Sequence, residues 1–350
     1  MDFTFDETQQ AVANLAATVL RNEPEHARVD HALATDLGYD ETLWKAMGQA
    51  GLLALAIPES LGGDGFGPVE VAAVLAEVGR QNVPLPALAT LALGVLPIAA
   101  LGSAVMQRRL LPEVADGRVL TAALRSTSAL PRVQDGAING RAVGVPYAAQ
   151  AHRVLVRTNN GVYVVDPRAA GVTLTRTPTA TGAPEYTVRF AGVGVSSDDL
   201  LTDDSRAVER YALAGAAAVA DGVVAGALAI TAAHVGTREQ FGKPLAMFQA
   251  VAGQVADVYV TARTMNLAAL AANWRLAAGL DADDDIETAA YWLAAEVPPA
   301  LQTCHHLHGG LGVDITYPLH RYYSNGKDLA RFVGGAELRL DRIGAACTSS

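Results

Sequence analysis

The sequence predicts an α+β fold in three consecutive blocks, helical, then β, then helical, at residues 1–117, 118–200 and 201–350. Three observations predict it. Residues 7–117 repeat apolar side chains at helical spacing. The stretch "RVLVRTNNGVYVVD" sets two β-branched runs around an Asn-Asn-Gly turn, a hairpin signal. From about residue 203, "SRAVERYALAGAAAVADGVVAGALAITAAHVGTREQF" is apolar nearly all round, as a helix buried inside a bundle must be.

In the first block, "DETQQAVANLAATVL" opens on an Asp/Thr cap region, and "LWKAMGQAGLLAL" and "PVEVAAVLAEVGR" read as helices. Between these two lies the loop "PESLGGDGFG", where glycines allow turns that a side chain would forbid. No charge occurs between Arg80 and Arg108. Pro84, Pro86 and Pro97 interrupt that run, so buried bundle helices are expected there rather than a membrane span. In the second block, "VTLTRTPTATGAPEYTVRFAGVGVS" continues in strand-like alternation. In the third, helices are expected at about 247–279, 284–297, 299–308, 318–332 and 336–346, with Pro298 and Pro299 starting one and Asp283 to Asp285 capping another. The acidic "DADDDIE" is read as a solvated helix start favoured by the helix dipole, not as a cation site.

Composition narrows function. Hydrophobic residues make up 51% and charged residues 18%, which points to extensive buried helix surface, subunit contacts included. A formal charge of −10 argues against a sequence-independent nucleic-acid binder, which needs surplus Lys and Arg. Two cysteines, Cys304 and Cys347, make no disulfide framework, and a reducing cytoplasm is the expected setting. The N-terminal "MDFTFDETQQAVANL" lacks the basic start and apolar core of a signal peptide.

Three motifs then act together: "PESLGGDG", "REQFGKPLAMFQ" and "HHLHGGLGVDITYPLHRYY". In this order and spacing the chain resembles flavin-dependent acyl-CoA dehydrogenases along essentially its whole length. Its C-terminal segments look closest to the shorter, heteromer-forming subunits of bacterial steroid side-chain (cholesterol) degradation. The resemblance implies a fold of N-terminal helical domain, small central β domain and C-terminal helical bundle. It implies FAD as cofactor and a carboxylate base that takes the proton next to a CoA thioester while hydride leaves the next carbon. It also implies that each FAD is gripped by two subunits.

The half given to a neighbour is intact. By resemblance, Arg238 is the pyrophosphate arginine, a fixed fork suited to phosphate oxygens, with Phe241 packed beside it and Gln249 meeting the adenosine side. The family's Gly-rich turn matches His306, Leu307, His308, Gly309 and Gly310, with His306 in place of Gln. His306 can still donate a hydrogen bond, though a pH-sensitive one. The three histidines lack a Cys or Asp placed to complete a zinc set, so no metal is expected.

The half needed for the chain's own flavin is not intact. The family's "ALTEP" strand reads "ALRST", so Arg125, Ser126 and Thr127 replace Thr, Glu and Pro. Gly144 stands where Trp would cover the flavin, and Pro146 where Thr would bond to it, with a backbone donor lost as well. The two positions that carry the base in different branches hold Gly334 and Ala212, neither of which takes a proton. Glu209 and Glu337 each lie three residues from those positions, close to one helical turn.

The expectation is therefore a non-catalytic subunit that completes the FAD site of a second, catalytic chain in an α2β2 heterotetramer. Such an assembly would oxidise an acyl-CoA to the 2,3-enoyl-CoA and pass electrons to an electron-transfer flavoprotein. Loss of this chain's own ligand cavity is expected to leave room for a bulky, steroid-bearing thioester. The alternatives are a self-sufficient homo-oligomer that uses Glu209 or Glu337, and a non-enzymatic CoA-thioester scaffold. No nucleic acid and no membrane are expected as partners.

Overall fold

The computed structural model describes residues 4–21 and 26–349. The first block folds as α1 (Glu7–Leu20), α2 (His26–Ala34), α3 (Glu41–Gln49) and α4 (Pro68–Gln81). Asp6 starts α1 through a reciprocal cap. Its carboxylate accepts from the Gln9 amide at 2.8 Å, and the Gln9 side chain accepts from the Asp6 amide at 3.2 Å. The uncharged run is not one rod. A π-helical stretch at Leu88–Val95 passes into α5 (Leu96–Leu101), followed by α6 (Ala104–Leu110) and α7 (Pro112–Ala115). Pro97, which cannot donate to the carbonyl four residues back, sits at this change of winding.

The β block contains β1 (Val119–Ala123), β2 (Arg132–Gln134), β3 (Ala137–Pro146), β4 (Ala151–Thr158), β5 (Gly161–Val165), β6 (Val172–Thr177), β7 (Glu185–Gly194) and β8 (Leu200–Thr202). They form two four-stranded sheets, ordered β1-β4-β5-β8 and β2-β3-β7-β6. The Asn-Asn-Gly signal gives the β4–β5 hairpin, with Thr158 opposite Gly161 and the Thr158 hydroxyl donating to the Gly161 carbonyl at 2.9 Å. Among the described residues, β1 and β4 are the one parallel pair. A lone bridge from Arg125 to Val143 ties the end of β1 to the middle of β3, where the register against β7 shifts.

The last block holds α8 (Ala207–Thr237), the short pair β9 (Glu239–Gln240) and β10 (Lys243–Pro244), α9 (Gln249–Ala277), α10 (Asp283–His308), α11 (Leu319–Phe332) and α12 (Ala336–Ser349). α8 is long and apolar enough to cross a membrane, but 78% of its most apolar window is buried by the other helices. At two glycines it meets the backbone of α4 directly. A Cβ added at Gly222 would stand 1.8 Å from the Ala76 carbonyl oxygen, and one at Gly79 would stand 2.1 Å from the Val219 oxygen. Gly222→Ala is therefore expected to cost about 3 kcal/mol, because the backbone it meets cannot swing aside. The midpoint of urea unfolding measures this.

Two expectations for this block are corrected. Residues 283–308 form one helix, not two, with Pro298 and Pro299 inside it. Burial of Ala289, Leu293, Val297, Leu301 and Cys304 outweighs the amide donors the prolines lack. Nor do Asp283 to Asp285 cap it, because the cap position is Ala282 with no side-chain bond. Instead Asp283 pairs with Arg210 of α8 at 2.6 Å, and Asp285 pairs with Arg275 of α9 at 2.7 Å. The Arg210 hydrogen bond holds the Asp283 carboxyl below its ordinary value of 3.8. A carboxyl depressed in the folded state contributes its full stabilisation above the unfolded value and loses it as pH falls through the folded one. Arg210→Met should therefore flatten the decline of melting temperature from about pH 4 downward.

Candidate functional site

The residues expected to grip a cofactor tail lie on two neighbouring corners. At the first, α8 ends where the Arg238 amide donates to the His234 carbonyl at 2.8 Å. The chain turns through Phe241 and Gly242, both with positive φ (53° and 79°), and closes β9 on β10. Phenylalanine in left-handed backbone is strained, and this ring is 92% exposed. Its ring contact is edge-on to Phe248 at 6.2 Å, where packing beside Arg238 was expected. Gln249, the first residue of α9, is exposed, as is Arg238.

The second corner is the end of α10. His306 points outward, and Gly309 and Gly310 are exposed with nothing within 4 Å of an added Cβ, so main-chain groups are open there. Leu307 and His308 differ from expectation, because their side chains are buried. His308 meets the Cys304 carbonyl through Nδ1 at 2.8 Å and the Tyr317 hydroxyl through Nε2 at 3.1 Å. Its ring stacks on His234 with centroids 4.3 Å apart. That stack joins the corners, since His234 lies one turn before Arg238 and His308 immediately precedes Gly309. Burial pulls both imidazoles below their ordinary value, and Arg238 lowers His234 further. His305 leans on Tyr323 instead, so the histidines diverge. Among the described residues no group of three or more His, Cys, Asp or Glu could hold a metal. Large apolar side chains surround the corners or lie along the outer face of α9: Met247, Val313, Ile315, Tyr259, Val260 and Trp274 are all exposed.

Of the positions expected to serve the chain's own flavin and base, Pro146 lies elsewhere, but Arg125, Ser126 and Ala212 meet at a cavity of about 360 Å³ between the β block and the bundle. Arg125, Arg157, Glu209, Ala212, Arg339 and Arg342 line it. Arg125 is turned into the protein, donating to the carbonyls of Arg331 and Phe332 at the end of α11. The same helix end is tied to the β block twice more. Arg331 grips both oxygens of Glu185 at 2.9 and 2.7 Å, and Asp328 accepts from the Thr181 amide and hydroxyl, each at 2.9 Å. Gly144 lies beneath the Arg331–Glu185 pair at φ 68°, a backbone state that strains a tryptophan.

The two positions expected for a base hold no carboxylate, though Ala212 lines the cavity. Gly334 has φ 97°, and a Cβ there would stand 2.6 Å from Leu338 and 3.4 Å from the Arg339 guanidinium. A guanidinium thus lies beside the place a side chain at residue 334 would start. Ala212 is buried in α8. Glu209 does face the cavity, but it is not the surface or capping carboxylate its sequence context suggests. It lies 3.0 Å from Arg157, 3.5 Å from Arg206 and 3.8 Å from Arg339. Glu287 continues the network, at 3.1 Å from Arg206 and 2.9 Å from Arg339. Glu337 is exposed in the first turn of α12 and is not a wall of the cavity. Sequence reasoning missed Arg157, Arg206, Glu287 and Arg339. One signal was available: Arg157 in the buried run "VLVRT" requires a partner.

The expected loss of this chain's own ligand cavity is not what the structure has. A mainly apolar cavity of about 250 Å³ persists between α4, the π-helical stretch and α11, walled by Val78, Leu85, Leu88, Tyr147, Val219 and Phe332.

A helical–β–helical chain with a cavity between β block and bundle, and outward-facing Arg and Gly corners, is the architecture of a flavin-dependent thioester dehydrogenase. The N-terminal domain of acyl-CoA dehydrogenases matches residues 6–118 and their C-terminal domain matches residues 207–347. The chain belongs to the acyl-CoA dehydrogenase family. It is 48% identical over 355 residues to the acyl-CoA dehydrogenase FadE28 of Mycobacterium tuberculosis, covering 99% of each chain. It superposes on a chain of the ChsE4–ChsE5 complex from Mycobacterium tuberculosis with a TM-score of 0.94, 30% identity and 100% coverage of both. The Tcur3481–Tcur3483 steroid acyl-CoA dehydrogenase (G363A variant) gives a TM-score of 0.90 at 32% identity, covering 98% of this chain and 99% of that one.

Proposed function

We propose that this chain is the non-catalytic subunit of a heterotetrameric, FAD-dependent acyl-CoA dehydrogenase, working beside a catalytic partner of the same family in a reducing cytoplasm. One observation carries the reading: beside the position where the resemblance puts the proton acceptor stands a guanidinium, Arg339, and the carboxylate that lines the cavity, Glu209, is committed to three arginines. Meanwhile the two corners that would serve a neighbour stand open. The substrate is an acyl-CoA, of the steroid side-chain class, and the product the 2,3-enoyl-CoA, with electrons leaving to an electron-transfer flavoprotein. Likeness to chains whose assemblies are described as a complex and as a steroid enzyme supports this.

The residues of the open corners fit a dinucleotide tail. Arg238 offers a permanent charge to pyrophosphate oxygens, and Gln249 a neutral amide on the adenosine side. The open main chain at Gly309 and Gly310 offers amides, with His306 beside them. Leu307 and His308 contribute through backbone only, since their side chains are buried. FAD bound across the pair supplies the hydride acceptor, and this chain holds the cofactor's tail.

Co-expression with an intact family member, followed by a flavin count, tests the reading. One flavin per pair of unlike chains is expected. This chain purifying alone as a yellow, active homotetramer, with turnover abolished by Glu209→Gln or Glu337→Gln, would overturn it in favour of a self-sufficient enzyme. A complex whose flavin-dependent activity ignores Arg238→Ala would mark a scaffold.

Phe241 gives a separate expectation. Phe241→Gly removes a strained, exposed ring, so the isolated chain should keep its melting temperature or gain slightly, by up to about 1 kcal/mol of stability. The same variant should weaken the heteromer, which sedimentation at falling concentration would read.

A further inference from the structure

The cavity walled by Arg125, Arg157, Arg339 and Arg342 has one carboxylate, Glu209, against four guanidinium groups. Arg339 is matched by Glu287 behind the wall, and Arg157 by Glu209. Among the described residues no carboxylate lies within 4.0 Å of Arg125 or Arg342. Nor is the donor set of Arg157 complete, because its buried Nε has no hydrogen-bond partner. Desolvation, and then the like charges of Arg331 and Arg339, pull the Arg125 guanidinium below its ordinary value. An unmatched charge held away from water raises the free energy of the fold unless something neutralises it. The remaining walls include Leu124, Leu213 and Phe332, so water solvates the half-buried Arg125 poorly, while Arg342 stands at the exposed rim.

We propose that this cavity is an oxyanion site, taking a small doubly charged ligand, a phosphate monoester or a dicarboxylate, held by Arg125, Arg157 and Arg342. Arg125, half-buried with backbone carbonyls but no carboxylate beside it, Arg342 at the solvent-exposed rim and the spare buried N–H of Arg157 together call for a ligand with two negative charges and several acceptor oxygens. The volume, about 360 Å³, leaves room for a short organic skeleton against the leucine and phenylalanine walls. The inference rests on the reading above to this extent: no flavin ring fills the cavity.

The test uses the full-length chain, with inorganic phosphate and succinate as probes and acetate and chloride at matched ionic strength as controls. Equilibrium dialysis should show saturable, one-to-one binding of phosphate or succinate but not acetate. Whichever of the two binds more tightly identifies the head group. Arg342→Ala, at the exposed rim, should weaken binding about tenfold, as loss of one charge-assisted bond does. Arg125→Gln should weaken it at least as much, with the melting temperature measured alongside to separate lost binding from the lost bonds to the Arg331 and Phe332 carbonyls. No saturable binding, or binding unchanged in both variants, overturns the proposal. The absorption spectrum separates the two readings. A flavin in this cavity would sink the non-catalytic reading, whereas a colourless chain that binds no oxyanion sinks only this inference.

Discussion

Replacing Arg238 by alanine in the co-expressed complex is expected to strip it of flavin while leaving this chain folded. Arg238 is exposed and outside the core, so far-UV circular dichroism and melting temperature of the isolated chain should not move. A fork that makes two charge-assisted hydrogen bonds to a pyrophosphate is worth roughly a hundredfold in affinity when removed. The complex should then lose FAD on gel filtration, and added FAD should restore activity with a correspondingly raised half-saturation. Arg238→Lys should recover only part of the loss, since an ammonium keeps the charge without the fork. A complex of Arg238→Ala that retains full flavin through gel filtration would remove the basis for the proposed role.

The second large effect is on stability. Glu287 is buried and placed between Arg206 and Arg339, the latter only 4% exposed. Glu287→Gln keeps the shape but leaves Arg206 and Arg339 with only the more distant Glu209, at 3.5 and 3.8 Å, as shared counter-charge. Breaking a buried ionic group this way costs about 3–5 kcal/mol, and for a chain of this size the melting temperature should fall by roughly 10 °C. Substituting Arg339→Met in the same chain should recover much of the loss, because the stranded charge goes with it. A loss below about 1 kcal/mol for the single variant would mean that the network does not fasten α12 to α8 and α10.

The order of blocks was legible because each has its own period: α1 and α4 repeat every 3.6 residues, and β4 and β5 flank a turn dipeptide with few alternatives. Arg238, Gln249 and the Gly309–Gly310 pair are exposed, as a surface contact to a cofactor requires, and Arg238→Ala tests the role that the resemblance of motif implies. What escaped was whatever depends on partners distant in sequence. Glu209 reads locally as a surface carboxylate, and only Arg157, on β4, and Arg339, on α12, make it an interior one. Leu307 and His308 were assigned to the cofactor along with their neighbours, but helical periodicity turns those two side chains inward. Pro298 and Pro299 mislead because a local rule about helix starts yields to burial on three sides.

Ala212 and Arg238 sit near opposite ends of a single straight rod, α8, about 39 Å apart at 1.5 Å per residue. Substitutions that far apart add without interacting, so natural variation can erase one end while leaving the other untouched. A duplicated ancestor could thus divide its labour by piecemeal change, with no single replacement having to satisfy both duties.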